Sequence, residues 1–170
     1  MLWDLIGKLD APISAEFDFP RLFLVPYRAV EIHMAGVTVT TNATNIHLNY
    51  YVAGTEITAG YRWTADLIAA SGSTGETASN SDSKIVLNTT GSPVGNASTK
   101  AFSGNVSITF PSSSALYKKC NFQTSYTIAT ATMASIAGAG IMDNAGAIDG
   151  IKISGDSDLT AGRVRLIGIK

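Results

Sequence analysis

Two histidines, one cysteine and a scatter of carboxylates are the groups from which any catalysis in this 170-residue chain would have to be built. His33 and His47 fall on the polar parity of two different runs with no third ligand in register, so solvated strand histidines are expected rather than a metal pair. Asp156 and Asp158 offer two carboxylates to a cation. The glycine and distal glutamate of an EF-hand loop are missing, and a solvated turn is the plainer reading. Ser81 and Lys84 have Ser-x-x-Lys spacing, but that motif needs its serine at the start of a buried helix, and this one stands in low-complexity loop sequence. Gly138 and Gly140 begin a dinucleotide-type glycine pattern that Asp143 breaks. Asn-x-Ser/Thr sequons begin at Asn42, Asn88, Asn96 and Asn105 without an export signal, because Asp4 stands where a positive n-region is needed. Cys120 lies on the apolar parity of its run and is expected to be a buried, inert thiol, with Lys118 and Lys119 as electropositive neighbours. No Ser/His/Asp set, carboxylate pair or phosphate cradle emerges. The sequence therefore assigns no catalytic residue, no cofactor and no metal ligand, and reads as a non-enzyme.

The composition narrows the partners. Charged residues make up 15% of the chain, against about 25% in an average domain. Twelve basic and thirteen acidic residues leave a net charge of −1, so no basic excess exists to release counterions from nucleic acid. No apolar run approaches the roughly 18 residues of a membrane-spanning helix, and no membrane insertion is expected. One cysteine excludes an internal disulfide framework. At roughly 100–200 residues per domain the length suits one domain, here residues 14–170, preceded by an arm over residues 1–13.

The elements follow from hydrophobic period. Leu2, Leu5, Ile6, Leu9 and Ile13 recur at helical spacing, with Trp3 adjoining, and predict a short amphipathic helix or arm that Pro12 ends. A helix so short needs something to dock on, either its own domain or a neighbouring subunit. After Pro12 the period becomes 2. Ile46, Leu48, Tyr50 and Val52 alternate with polar residues; so do Tyr61, Trp63, Ala65 and Leu67, and the even positions of Phe102–Phe110 apart from Gly104. Each run predicts an antiparallel strand with one face in a core. Val30, Ile32 and Met34 change parity to Val37 and Val39, which predicts a β-bulge at Ala35–Gly36. Val164 and Leu166 give way to Ile167 and Ile169 on the opposite parity, which a subunit contact or a second bulge at Gly168 explains equally. Residues 71–100 read as one short strand at Ile85–Leu87 between long exposed loops. About ten short strands at this spacing predict an all-β, antiparallel sandwich.

Three stretches add a likeness. The ending, Ile148–Gly155 followed by Thr160–Lys170, resembles the C-terminal hairpin of small jelly-roll β-sandwich virion proteins of tailed bacteriophages, with Ala161 in place of the usual serine and Ile167 in place of the usual tyrosine. Ala15–Phe19, Tyr27–Val39 and Ile46–Val52, reaching Gly60 and Tyr61, look like the same family's first strands, and Phe102–Pro111 like its middle strand. The resemblance implies a jelly-roll-type sandwich acting as a non-enzymatic capsid decoration or cement protein. Its partners would be copies of itself, as a homotrimer, and the major capsid protein, within a virion assembled in the host cytoplasm. The expected interface comprises Leu2, Trp3, Leu5, Ile6, Leu9, Ile167 and Ile169. The alternative is a receptor-binding or tail-tip module, with tail proteins or host glycans as partners and Tyr51 and Tyr117 as its sugar platforms.

Overall fold

Alternating side chains leave the chain one economical solution, two antiparallel sheets packed face to face. The structure, a computed structural model, describes residues 3–10, 15–21 and 26–170. Among them lie thirteen strands and no helix: β1 (Trp3–Leu9), β2 (Phe17–Phe19), β3 (Ala29–Val39), β4 (Ile46–Val52), β5 (Thr55–Glu56), β6 (Tyr61–Ala69), β7 (Thr74–Asp82), β8 (Ile85–Val86), β9 (Phe102–Thr109), β10 (Lys118–Thr127), β11 (Met133–Met142), β12 (Ile148–Gly155) and β13 (Leu159–Ile169). Eight form one sheet in the order β1-β13-β3-β9-β10-β11-β6-β7; the second runs β2-β12-β4-β5, with β8 also on β4. The fold is the all-β sandwich that the alternation predicts.

Inward residues of both sheets make one core. Ile32, Val106, Phe122, Ile136 and Val164 of the larger sheet join Phe17, Leu48, Tyr50 and Ile153 of the smaller one. In β11 the inward positions opposite Phe122 and Cys120 are Gly138 and Gly140. A Cβ on Gly138 would lie 2.2 Å from Phe122 Cζ and 2.5 Å from the Thr64 carbonyl oxygen. Gly138 thus admits Phe122 from the adjacent strand, and Gly140 admits Ile85 of β8 from the opposite sheet.

The expected N-terminal helix is a strand. β1 pairs antiparallel with β13, and the register skips a residue between Leu5 and Gly7. That bulge at Ile6 shifts the apolar positions from a spacing of two to spacings of three and four, which imitates a helix in the sequence. A lone seven-residue helix is too short to persist in water, whereas the edge of β13 offers it a ladder of backbone partners. The bulge foreseen at Ala35–Gly36 is present: register breaks between Met34 and Val37, and Gly36 adopts a φ of +65° while its N–H bonds Ser103 Oγ at 3.0 Å. The long loops expected over residues 71–100 give way in part to β7, a nine-residue strand on the edge of β6 with no buried side chain. None of its Thr, Gly, Ser and Asn residues is buried, so it carries no hydrophobic period.

Gly138→Ala is expected to lower the unfolding free energy by about 1–3 kcal/mol through overpacking against Phe122. Urea denaturation measures this, with Gly91→Ala, whose Cβ would meet nothing within 4 Å, as the unperturbed control.

Candidate functional site

Pairing between β1 and β13 collects four of the expected interface residues. Trp3 sits opposite Ile169 and Leu5 opposite Ile167, all on the outward face of the larger sheet. Trp3 is 52% exposed and Leu5 62%, while Ile167 is half-buried and Ile169 buried. Ile6 and Leu9 pack instead against the protein's own core, which the bulge makes possible. Leu2 and Ile13 lie outside the described residues.

The apolar corner continues beyond these strands. Phe110 shares a groove with Ile169 and Ala29, and a second groove of about 400 Å³ with Leu116 and Tyr117. All three added residues are more than half exposed. Phe110 has a φ of +50°, a conformation that bulky side chains avoid; its N–H bonds the Arg28 carbonyl at 2.8 Å. Backbone strain thus holds a phenyl ring toward solvent at the centre of an apolar patch. The alternation of Phe102–Phe110 predicts Phe110 on the core face; β9 instead ends at Thr109, and the left-handed backbone at Phe110 leaves its ring exposed.

The two proposed sugar platforms part company. Tyr117 is exposed beside Phe110, whereas Tyr51 is buried and donates its hydroxyl to Asp18 Oδ1 at 2.8 Å. Tyr51 points outward from the core, as its parity requires, but the outer face of β4 is itself covered. On that face Asn49 donates to the carbonyls of Ile57 and Ser83, and Lys152 pairs with Glu56 at 2.6 Å and with Glu16 at 3.6 Å. Burial works to lower the Lys152 pKa, but Glu56 and Glu16 outweigh it and raise it. Burial and the hydrogen bond to Asp18 push the Tyr51 phenol up.

His47, expected in solvent, is buried in this layer. Its Nε2 lies 3.3 Å from Asp156 Oδ1, and Lys84 Nζ reaches the same oxygen at 3.4 Å. Burial, with Lys84 adding to it, lowers the His47 pKa to about 4 against the opposing pull of Asp156. Burial favours protonation of Asp156, but His47, Asn45 and Lys84 overcome that and hold its carboxyl below the usual range. His33 stays half-exposed on the other sheet, 3.0 Å from Glu31, so the two histidines never meet. Asp158 is exposed, and Ser81 ends a strand instead of opening a helix. Among the described residues no group of three metal-ligating side chains forms.

Cys120 is buried, and burial raises its thiol to about 11, as an inert core cysteine requires. Lys118 was missed. It is fully buried, and its ammonium is capped by the carbonyls of Ser113, Leu116 and Ala145. Its place in phase with Cys120 and Phe122 was the available signal. Burial lowers its pKa. Asn88, the first residue of a sequon, is buried too, and its Oδ1 accepts from Ile46 N at 2.8 Å.

No family model and no curated protein matches the chain. Among solved structures it is similar to a Bacteroides ovatus protein of unknown function, at 7% identity and a TM-score of 0.28, over 69% of this chain and 45% of that one. A glycosyl hydrolase family 16 protein from Mycobacterium smegmatis matches at 10% identity and 0.23, over 81% and 63%. A pseudo beta-1,3-glucanase of Mycobacterium tuberculosis matches at 8% and 0.24, over 86% and 67%. The chain thus spans less than two thirds of the first two structures, and none is similar enough to lend it an activity.

A histidine with a folded pKa near 4 and an unfolded value near 6.5 binds its proton more tightly when the chain unfolds. Stability is therefore expected to fall by about 3 kcal/mol as pH drops from 6.5 to 4, at roughly 1.36 kcal/mol per pKa unit. Denaturant midpoints across that window measure the loss, and His47→Gln should flatten it.

Proposed function

We propose that this chain is a non-enzymatic structural protein of a tailed-phage virion, a capsid decoration or cement protein acting as a homotrimer. The observation that carries the reading is the apolar corner of Trp3, Leu5, Ile169, Phe110, Leu116 and Tyr117. Trp3 and Leu5 on the edge strand and Phe110, Leu116 and Tyr117 in the loop after β9 are each more than half exposed around the buried Ile169, and the strained Phe110 lines both grooves. Monomeric soluble proteins rarely display contiguous apolar surface of this kind without something to bind. The corner is the surface through which the protein meets its partners, further copies and the major capsid protein. A charged fraction of only 15% suits dense packing on one particle, because many copies then repel each other little. The sequence likeness to small phage virion proteins supplies the identity of the particle. Tyr117, exposed beside a groove, keeps a second reading in view, a tail-tip module that stacks on host glycans. Tyr51 no longer supports that reading.

Antibody labelling of intact particles is expected to mark the whole shell; a label confined to the tail selects the second reading. Phe110→Gly deletes the ring and relieves the left-handed backbone, since glycine adopts positive φ without cost. Its unfolding free energy should equal or exceed that of the parent, while its occupancy on particles drops at least tenfold. Unchanged occupancy would remove the corner from this role.

A further inference from the structure

The outward face of the larger sheet carries a row of residues in unbroken register from edge to edge. At the β1 end Lys8 stands directly opposite Arg165. The row passes through the uncharged Asn105 and Gln123 in the middle strands. It ends at the β7 side with Asp66 directly opposite Glu76. Each end therefore sets two like charges face to face, an arrangement that costs free energy within one copy. Lys8 pairs with Asp10, but among the described residues Arg165, Asp66 and Glu76 have no ion-pair partner, and all three are exposed.

Both ends are also open. Among the described residues β1 and β7 each have one neighbour in the sheet, and no described strand pairs with the outer edge of either. Seven successive antiparallel pairings leave β7 running opposite to β1. A second copy placed edge to edge thus continues the antiparallel order. The row then brings the carboxylates of one copy beside the cations of the next. The adjoining row, which runs from Leu5 to Ala78, sets the exposed leucine beside a small residue that leaves it room.

We propose that copies of this chain join head to tail, β7 of one against β1 of the next, and that this contact closes the trimer. The inference rests on the homotrimer of the preceding reading and names the two surfaces that form it. Unlike a two-fold contact, such an interface uses two different patches of each copy and forms a ring when its rotation closes.

Light scattering at micromolar concentration tests it on the purified full-length chain. The parent should be a trimer. Asp66→Lys with Glu76→Lys should weaken association at least tenfold, and Lys8→Glu with Arg165→Glu should do the same. The chain carrying all four reversals should regain the trimer, because its ends are complementary again. Far-UV circular dichroism verifies folding, and the milder Asp66→Asn with Glu76→Gln replaces any reversal that fails to fold, with a weaker trimer expected. A trimer indifferent to the reversals, or four reversals that fold without rescue, overturns the head-to-tail contact and leaves a trimeric virion protein standing. A monomeric parent overturns both the contact and the trimer, while particle labelling reads the virion assignment separately.

Discussion

Strict alternation of side chains across the eight-stranded ladder is the constraint that every other feature of the molecule obeys. A slip of one residue turns a strand's entire apolar set toward solvent. Extra residues are therefore absorbed where they occur, by the bulges at Ile6 and at Ala35–Gly36, and the parity of the following segment is restored. The same discipline fixes what the outward face displays. Once the core has claimed Val164 and Leu166, the alternate residues Arg165, Ile167 and Ile169 must point away. Ile167 and Ile169 thus come to lie beside Leu5 and Trp3.

The smaller sheet follows the rule on one side and adds to it on the other. β4 is buried on both faces, which is unusual for an antiparallel strand, and its outer layer is polar. Every long side chain in that layer finds a partner: Tyr51 on Asp18, Asn49 on two carbonyls, Lys152 on two glutamates, His47 beside Asp156. Buried polar groups are tolerated only when satisfied in this way. The cost of the layer is conditional on pH, because the His47 imidazole must stay neutral to remain there.

Most of the fold was legible because half-buried strands announce themselves: β6 alternates buried and exposed along its whole length, as the residues from Tyr61 to Ala69 suggest. What escaped did so for physical reasons. β1 looked helical because a bulge rewrites a spacing of two. β7 looked like a loop because an edge strand held by its backbone needs no apolar side chain. His47 and Tyr51 looked wet because alternation tells which way a side chain points and not what lies over it. Of the candidate surface, Trp3 and Leu5 were readable, though from a helix that does not form, and Ile167 and Ile169 from the change of parity in a strand that does. Phe110 was placed in the core by its parity, since a left-handed φ at a non-glycine residue leaves no mark on hydrophobic period.

The edge strand β7 has a dynamic consequence. None of its side chains is buried, so it is retained by the amide ladder to β6 and, at its end, by the Trp63 Nε1 hydrogen bond to Asp82 Oδ2 at 3.0 Å. Peeling it away removes none of its own side chains from the core. Its local opening free energy should therefore lie far below that of the whole molecule, toward the low end of the range that amide hydrogen exchange resolves. The sandwich then behaves as a firm body with one loosely fastened border. A border of that kind exchanges its backbone partners at small cost, whether with water or with an incoming strand.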